Sequence, residues 1–196
     1  MPRPLFVFAH GAGAPSSSPW MRAWADRLQT LGKVVAFDYP YMAAGRRSPD
    51  ALPKLIAAHE QVLADARKSH RGPVVLIGKS MGSRVGCHVA TRQSVDAIVC
   101  LGYPLKGAGG QLRDEVLLAL RTPILFVQGS SDALCPLDAL KKVQKKMSAR
   151  NELRVVEDAN HSLEVGKRKL AAIGETQEQV DARVLSWIRE FLVRNG

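Results

Sequence analysis

Ser80 lies within Gly78, Lys79, Ser80, Met81 and Gly82, a Gly-x-Ser-x-Gly pattern. Such a pattern makes a sharp strand-to-helix turn that exposes the serine hydroxyl, and its flanking glycines let strand and helix approach closely. The context fits, because the apolar run 74–77 precedes it and a helical spacing, Val85 and Val89, follows it. A serine hydroxyl is a weak nucleophile at neutral pH, so it needs a base, and the base needs a group that fixes its tautomer. Of the five histidines, His59, His70 and His88 fall in helical stretches, and His10 precedes the glycines of the first loop, where it would shape the turn. His161 is therefore the candidate base. Asp132 is the candidate acid; its rival, Asp158, stands three residues before His161 and would have to fold back along its own loop. Acyl transfer also needs donors aimed at the developing oxyanion. The backbone N–H of Met81 supplies one, and the loop of His10, Gly11, Ala12 and Gly13 supplies the second, through the N–H of Ala12.

These residues can meet only if the elements between them bring them to one edge. Apolar, β-branched or aromatic runs recur at 5–9, 34–37, 74–77, 97–101, 124–127 and 153–156 and read as six strands. Because the runs are continuously apolar, each strand is expected to be covered on both faces, as in a parallel sheet between helices. Helical spacing fills the gaps, with Trp20, Trp24, Leu28 and Leu31; Leu52, Leu55, Ile56, Val62 and Leu63; Leu137, Leu140, Val143 and Met147; and a last helix over 177–193. Strand and helix alternate from end to end, which predicts a doubly wound α/β fold of one domain over 1–196. Reactive groups in such a sheet belong at the carboxyl ends of the strands. His10 follows the first strand, Ser80 the third, Asp132 the fifth and His161 the sixth, so all four are expected on one rim.

The 196 residues are 46% hydrophobic and 23% charged, an ordinary globular composition. The three cysteines, Cys87, Cys100 and Cys135, have neither metal-ligand nor redox-motif spacing, which points to a reducing, cytoplasmic setting and no structural metal. Neither a membrane span nor a secretory leader is expected, since no apolar run is long enough for either. Gly11, Ala12 and Gly13 lack the third glycine and later acidic residue of a dinucleotide fingerprint, and no cofactor is expected. A net charge of +10 permits nucleic-acid binding. However, the basic residues, such as Lys141, Lys142, Lys145 and Lys146, are scattered without interleaved aromatic rings and are expected to be a solvated helix face.

At these residues the sequence resembles the α/β-hydrolase superfamily. The stretches AHGAGAP, FDYPYMAAGRR, GKSMGSR, GYPLKG, FVQGSSD and NHSL look like a small lidless group. That group includes testis-expressed protein 30 and the hydrolase-like domain of a subunit of the non-specific lethal chromatin complex; dienelactone hydrolases are more distantly similar. The resemblance implies a nucleophile at Ser80, an acid at Asp132 and a base at His161, in the Ser, Asp, His chain order of such enzymes. Residues 102–122 leave little room for a lid. The expectation is a serine hydrolase that cleaves a small ester or thioester through an acyl-enzyme. The alternative is a hydrolase-fold scaffold that acts through protein partners. Arg46, Arg47, Lys106 and Arg113 lie in the two insertions near the rim, and are expected to favour short acyl groups and a carboxylate or phosphate on the substrate.

Overall fold

A computed structural model describes residues 2–107 and 109–195. The strands are β1 (Leu5–Ala9), β2 (Lys33–Phe37), β3 (Val74–Lys79), β4 (Ala97–Leu101), β5 (Ile124–Gly129) and β6 (Asn151–Val156). They form one six-stranded sheet in the order β2-β1-β3-β4-β5-β6, and every pairing is parallel. The helices are α1 (Pro19–Gln29), α2 (Pro40–Ala43), α3 (Leu52–Lys68), α4 (Met81–Ala90), α5 (Glu115–Ala119), α6 (Leu137–Gln144), α7 (Lys167–Ile173) and α8 (Gln177–Asn195).

Side chains alternate across a strand, so each apolar run feeds two cores. On one face, Leu5, Val7 and Ala9 of β1 and Ile124 and Phe126 of β5 pack with Leu55, Ile56 and Leu63 of α3, Val85 and Val89 of α4, and Leu140 and Val143 of α6. On the other, Phe6, Phe8, Leu125 and Val127 pack with Met21, Trp24 and Leu28 of α1 and with Val184, Ile188 and Phe191 of α8. Fully burying a Val, Leu, Ile, Phe or Met side chain among these stabilises the fold by roughly 1.5–3 kcal/mol. The expected doubly wound sheet, with helices on both faces, is thus what forms, and no cap domain is present among the described residues.

Three details differ from the sequence reading. β2 and β6 are edge strands and are only partly buried, because each has a sheet neighbour on one side alone. α3 ends at Lys68, which leaves His70 beyond the helix with its Nε2 3.2 Å from the Pro73 carbonyl. α6 stops at Gln144, one turn short of Met147.

Register aligns the functional loops. Ala9 pairs with Gly78, so the loop after β1 leaves the sheet beside the turn after β3. Gly129 pairs with Val156, so the loop after β5, bearing Asp132, emerges beside the loop after β6, bearing His161.

Candidate active site

Ser80 occupies the turn between β3 and α4 with φ 51° and ψ −115°, a left-handed backbone that a non-glycine residue rarely adopts. The turn is held by close approach on both sides. A Cβ on Gly78 would overlap the Gly82 carbonyl carbon, and a Cβ on Gly82 would overlap the Ala9 carbonyl oxygen. Ser83 Oγ also donates to the Gly78 carbonyl at 2.5 Å and ties the first turn of α4 back to β3. The strain at Ser80 is therefore fixed by two glycines and a buried hydroxyl.

The structure brings Ser80, His161 and Asp132 into one hydrogen-bonded chain. Ser80 Oγ lies 2.8 Å from His161 Nε2, and His161 Nδ1 lies 2.7 Å from Asp132 Oδ2. With Nδ1–H donating to the carboxylate, Nε2 is left as an acceptor for the serine proton. Asp132 is buried, and its carboxylate takes two further hydrogen bonds, from the Leu134 N–H at 2.9 Å to Oδ1 and from Gln128 Nε2 to Oδ2. Gln128, also buried, accepts the Tyr103 N–H at 2.9 Å through Oε1, which fixes its orientation. Asp158 is half-exposed and faces away, with Oδ1 3.3 Å from Lys169 Nζ.

The Met81 and Ala12 N–H groups donate to no protein group among the described residues. The loop bearing Ala12 is anchored by its other atoms. His10 is buried, its Nδ1–H donates to the Gly11 carbonyl at 2.6 Å, and its Nε2 accepts the Tyr39 N–H at 3.1 Å. Burial draws the His10 pKa below its ordinary value, so the neutral tautomer these two bonds require is the stable one. Tyr41 donates to the Ala12 carbonyl at 2.9 Å, and Asp38 accepts the Ser16 N–H at 2.6 Å. His10 thus shapes the turn, as its position suggested.

The His161 loop is anchored as firmly. Trp20 Nε1 donates to the Ser162 carbonyl at 2.9 Å, Lys79 Nζ donates to Ser162 Oγ at 2.8 Å, and the Ser162 N–H donates to Asn160 Oδ1 at 2.7 Å. A Cβ on Gly102 would come within 2.6 Å of the His161 carbonyl oxygen.

A pocket of about 250 Å³ opens onto Ser80 and His161, with walls that include Ala12, Trp20, Met21, Lys79 and Leu134. Those walls come from the loop after β1, the start of α1, the end of β3 and the loop after β5, and not from the two basic insertions expected at the mouth. Arg46 is instead turned to Asp50 at 2.8 Å. Cys135, next to Leu134, is buried beneath the wall, and burial pushes its thiol up to about 12, which leaves it a packing residue.

Sequence reading missed Gln128, Trp20 and Lys79 as parts of this site. Gln128 carried a signal, since a lone amide ending an apolar strand must find partners once buried. Trp20 was absorbed into an apolar helical stripe, and Lys79 was only a variable position of the serine pattern.

An all-parallel sheet with a serine on a strained strand-to-helix turn and a histidine and aspartate on neighbouring loops defines a class of α/β protein. The chain belongs to the alpha/beta hydrolase domain family, whose model matches residues 2–193. Among solved structures it is similar to a dienelactone hydrolase from Anabaena variabilis, at 20% identity over 99% of this chain and 87% of that one, with a TM-score of 0.73. It is also similar to an alpha-beta serine hydrolase homologue from Coxiella burnetii, at 20% identity over 90% and 82% of the two chains and a TM-score of 0.71. Est1E from Butyrivibrio proteoclasticus gives 16% identity over 98% and 89%, with a TM-score of 0.69. At these identities the likeness is one of fold. No described helix is long and apolar enough to cross a membrane.

Proposed function

We propose that this protein is a serine hydrolase that cleaves a small ester or thioester through an acyl-enzyme, with Ser80 as nucleophile, His161 as base and Asp132 as its orienting acid. The observation that carries this reading is the hydrogen-bonded chain from Asp132 through His161 to Ser80 at the wall of a pocket. Ser80 Oγ attacks the carbonyl carbon while its proton passes to His161 Nε2, and the imidazolium is stabilised by the Asp132 carboxylate. The carbonyl oxygen gains the negative charge and is met by the Met81 and Ala12 N–H groups. The carbon–oxygen or carbon–sulfur bond to the leaving group then breaks, and His161 returns the proton to the departing oxygen or sulfur. Water, deprotonated by His161, attacks the acyl carbon and releases the acid and free Ser80.

The reading includes one domain over 1–196 in a cytoplasmic setting, with no cofactor. On α6, Lys141 and Lys142 are exposed beside the buried Leu140 and Val143, as a solvated face requires. The small group of testis-expressed protein 30 and the chromatin-complex subunit supplies the competing scaffold reading.

Covalent labelling separates the two. A fluorophosphonate probe should add one adduct to the wild type by intact mass, and Ser80→Ala and His161→Ala should abolish it while melting like the wild type. An unlabelled but folded wild type leaves the scaffold reading in possession.

A further inference from the structure

Among the described residues Lys79 is the one lysine or arginine in the pocket wall. Its stem runs past the loop after β1, where a Cβ on Gly11 would stand 3.8 Å from Lys79 Cγ and 3.5 Å from Ser80 Cβ, so lysine and serine flank the same strip of the pocket. Its ammonium lies 4.6 Å from the centroid of the Trp20 ring, and Trp20 is itself a wall residue. One N–H is used by Ser162 Oγ. Among the described residues no carboxylate lies within ion-pair distance of Nζ. Burial pulls the ammonium below the ordinary lysine range, and the more distant charges of Glu164 and Asp132 only partly oppose this. A half-buried cation without an anion is costly, and a π face compensates it weakly. The other walls named above, Ala12, Trp20, Met21 and Leu134, offer apolar surface and no competing acid.

We propose that Lys79 makes this site selective for esters or thioesters whose acyl group ends in a carboxylate, the chain lying on the apolar wall and the carboxylate pairing with Nζ. The inference rests on the proposed hydrolase function and assigns its substrate class, half-esters of short dicarboxylic acids. Lys79 already has one proton on Ser162, and an ammonium has three donors, so an incoming carboxylate needs no rearrangement of the His161 loop. The competing role is mechanical: Lys79 as a clamp that holds Ser162, and through it His161.

The test compares monoethyl esters of succinic, glutaric and adipic acids with their terminal carboxamides, which match them in size without the charge. In the wild type, kcat/KM for the acid should exceed that for the amide by about ten- to a hundredfold at the best chain length, the range of a hydrogen bond between charged groups. Lys79→Met should bring that ratio close to one, and Lys79→Arg should keep part of it. A wild-type ratio of one or less at every length overturns the proposal, whether or not the variants fold. So does Lys79→Met lowering acid and amide esters by the same factor, which is the signature of a clamp. The two readings fail differently. If Ser80 takes the fluorophosphonate and the amides are cleaved without preference for acids, only the substrate class falls; if Ser80 is unlabelled and no ester is cleaved, the hydrolase reading falls and takes this one with it.

Discussion

Asp132 and Asp158 are both within reach of His161 along the chain, yet their surroundings differ in every respect that matters to an imidazole. Asp132 is buried and accepts from His161, Gln128 and the Leu134 N–H, so both its oxygens are fixed. Asp158 is half-exposed and shares its charge with Lys169, in a surface pair of the kind that contributes little. On the proposed mechanism, Asp132→Asn should cut kcat by about 10⁴, because an amide presents the wrong partner to Nδ1 and favours the wrong tautomer. Asp158→Asn should leave kcat within a few-fold. Steady-state kinetics on one activated ester checks the ranking, and the reverse order would reassign the acid.

The elements carry these residues by meeting at their ends. β4 contributes no reactive group, but its exit passes under the His161 loop. Gly102, just past β4, has φ 71°, and a side chain there would strike the His161 carbonyl oxygen. An alanine with positive φ costs roughly 1–2 kcal/mol for the backbone alone, and the overlap must be relieved by moving either β4 or the loop. Gly102→Ala should therefore lower the melting temperature and, on the proposed mechanism, depress kcat far more than KM. Displacement of the loop lengthens the contact between His161 and Ser80. A variant that loses stability but keeps its turnover would show that β4 yields instead.

Over the whole molecule, two buried histidines make stability depend on acid. The His59 ring is fully buried between α3 and α4, with Nδ1 3.1 Å from the Tyr39 hydroxyl and Nε2 without a partner among the described residues, and burial draws its pKa down to about 3. His10 is displaced in the same direction by the same cause. Above the ordinary histidine value, about 6.5, both are neutral in the folded and unfolded states alike, and their contribution is constant. As pH falls from there toward about 3, the unfolded chain binds protons that the folded chain refuses at His59, and stability drops by up to ~1.4 kcal/mol per pH unit for each such group. Urea unfolding at pH 7.5, 6.0 and 4.5 should show this decline, with a shallower one in His59→Leu. Equal slopes in the two proteins would mean that His59 is protonated without unfolding.

Strand identity, the alternation of two cores and the placement of Ser80, Asp132 and His161 at strand ends were legible in the sequence, because apolar run length and the glycine pattern are local signals. Those signals also made α6 too long and took His70 into a helix, since helix ends depend on which carbonyls find other partners. Which strands lie at the edges was not legible: β2 and β6 carry apolar runs much like the others, and only the pairing order leaves them half-covered. The pocket wall was missed for the same reason. Arg46 and Arg47 lie near the rim in sequence, but Arg46 turns to Asp50, whereas Lys79, read as a spacer beside the serine, stands over Trp20 in the pocket wall. The chain by itself determined which reactive side chains were present and at which end of the sheet. The tertiary structure alone decided what surrounds it, because side-chain direction, burial and unpaired charge arise from contacts between segments that the sequence separates.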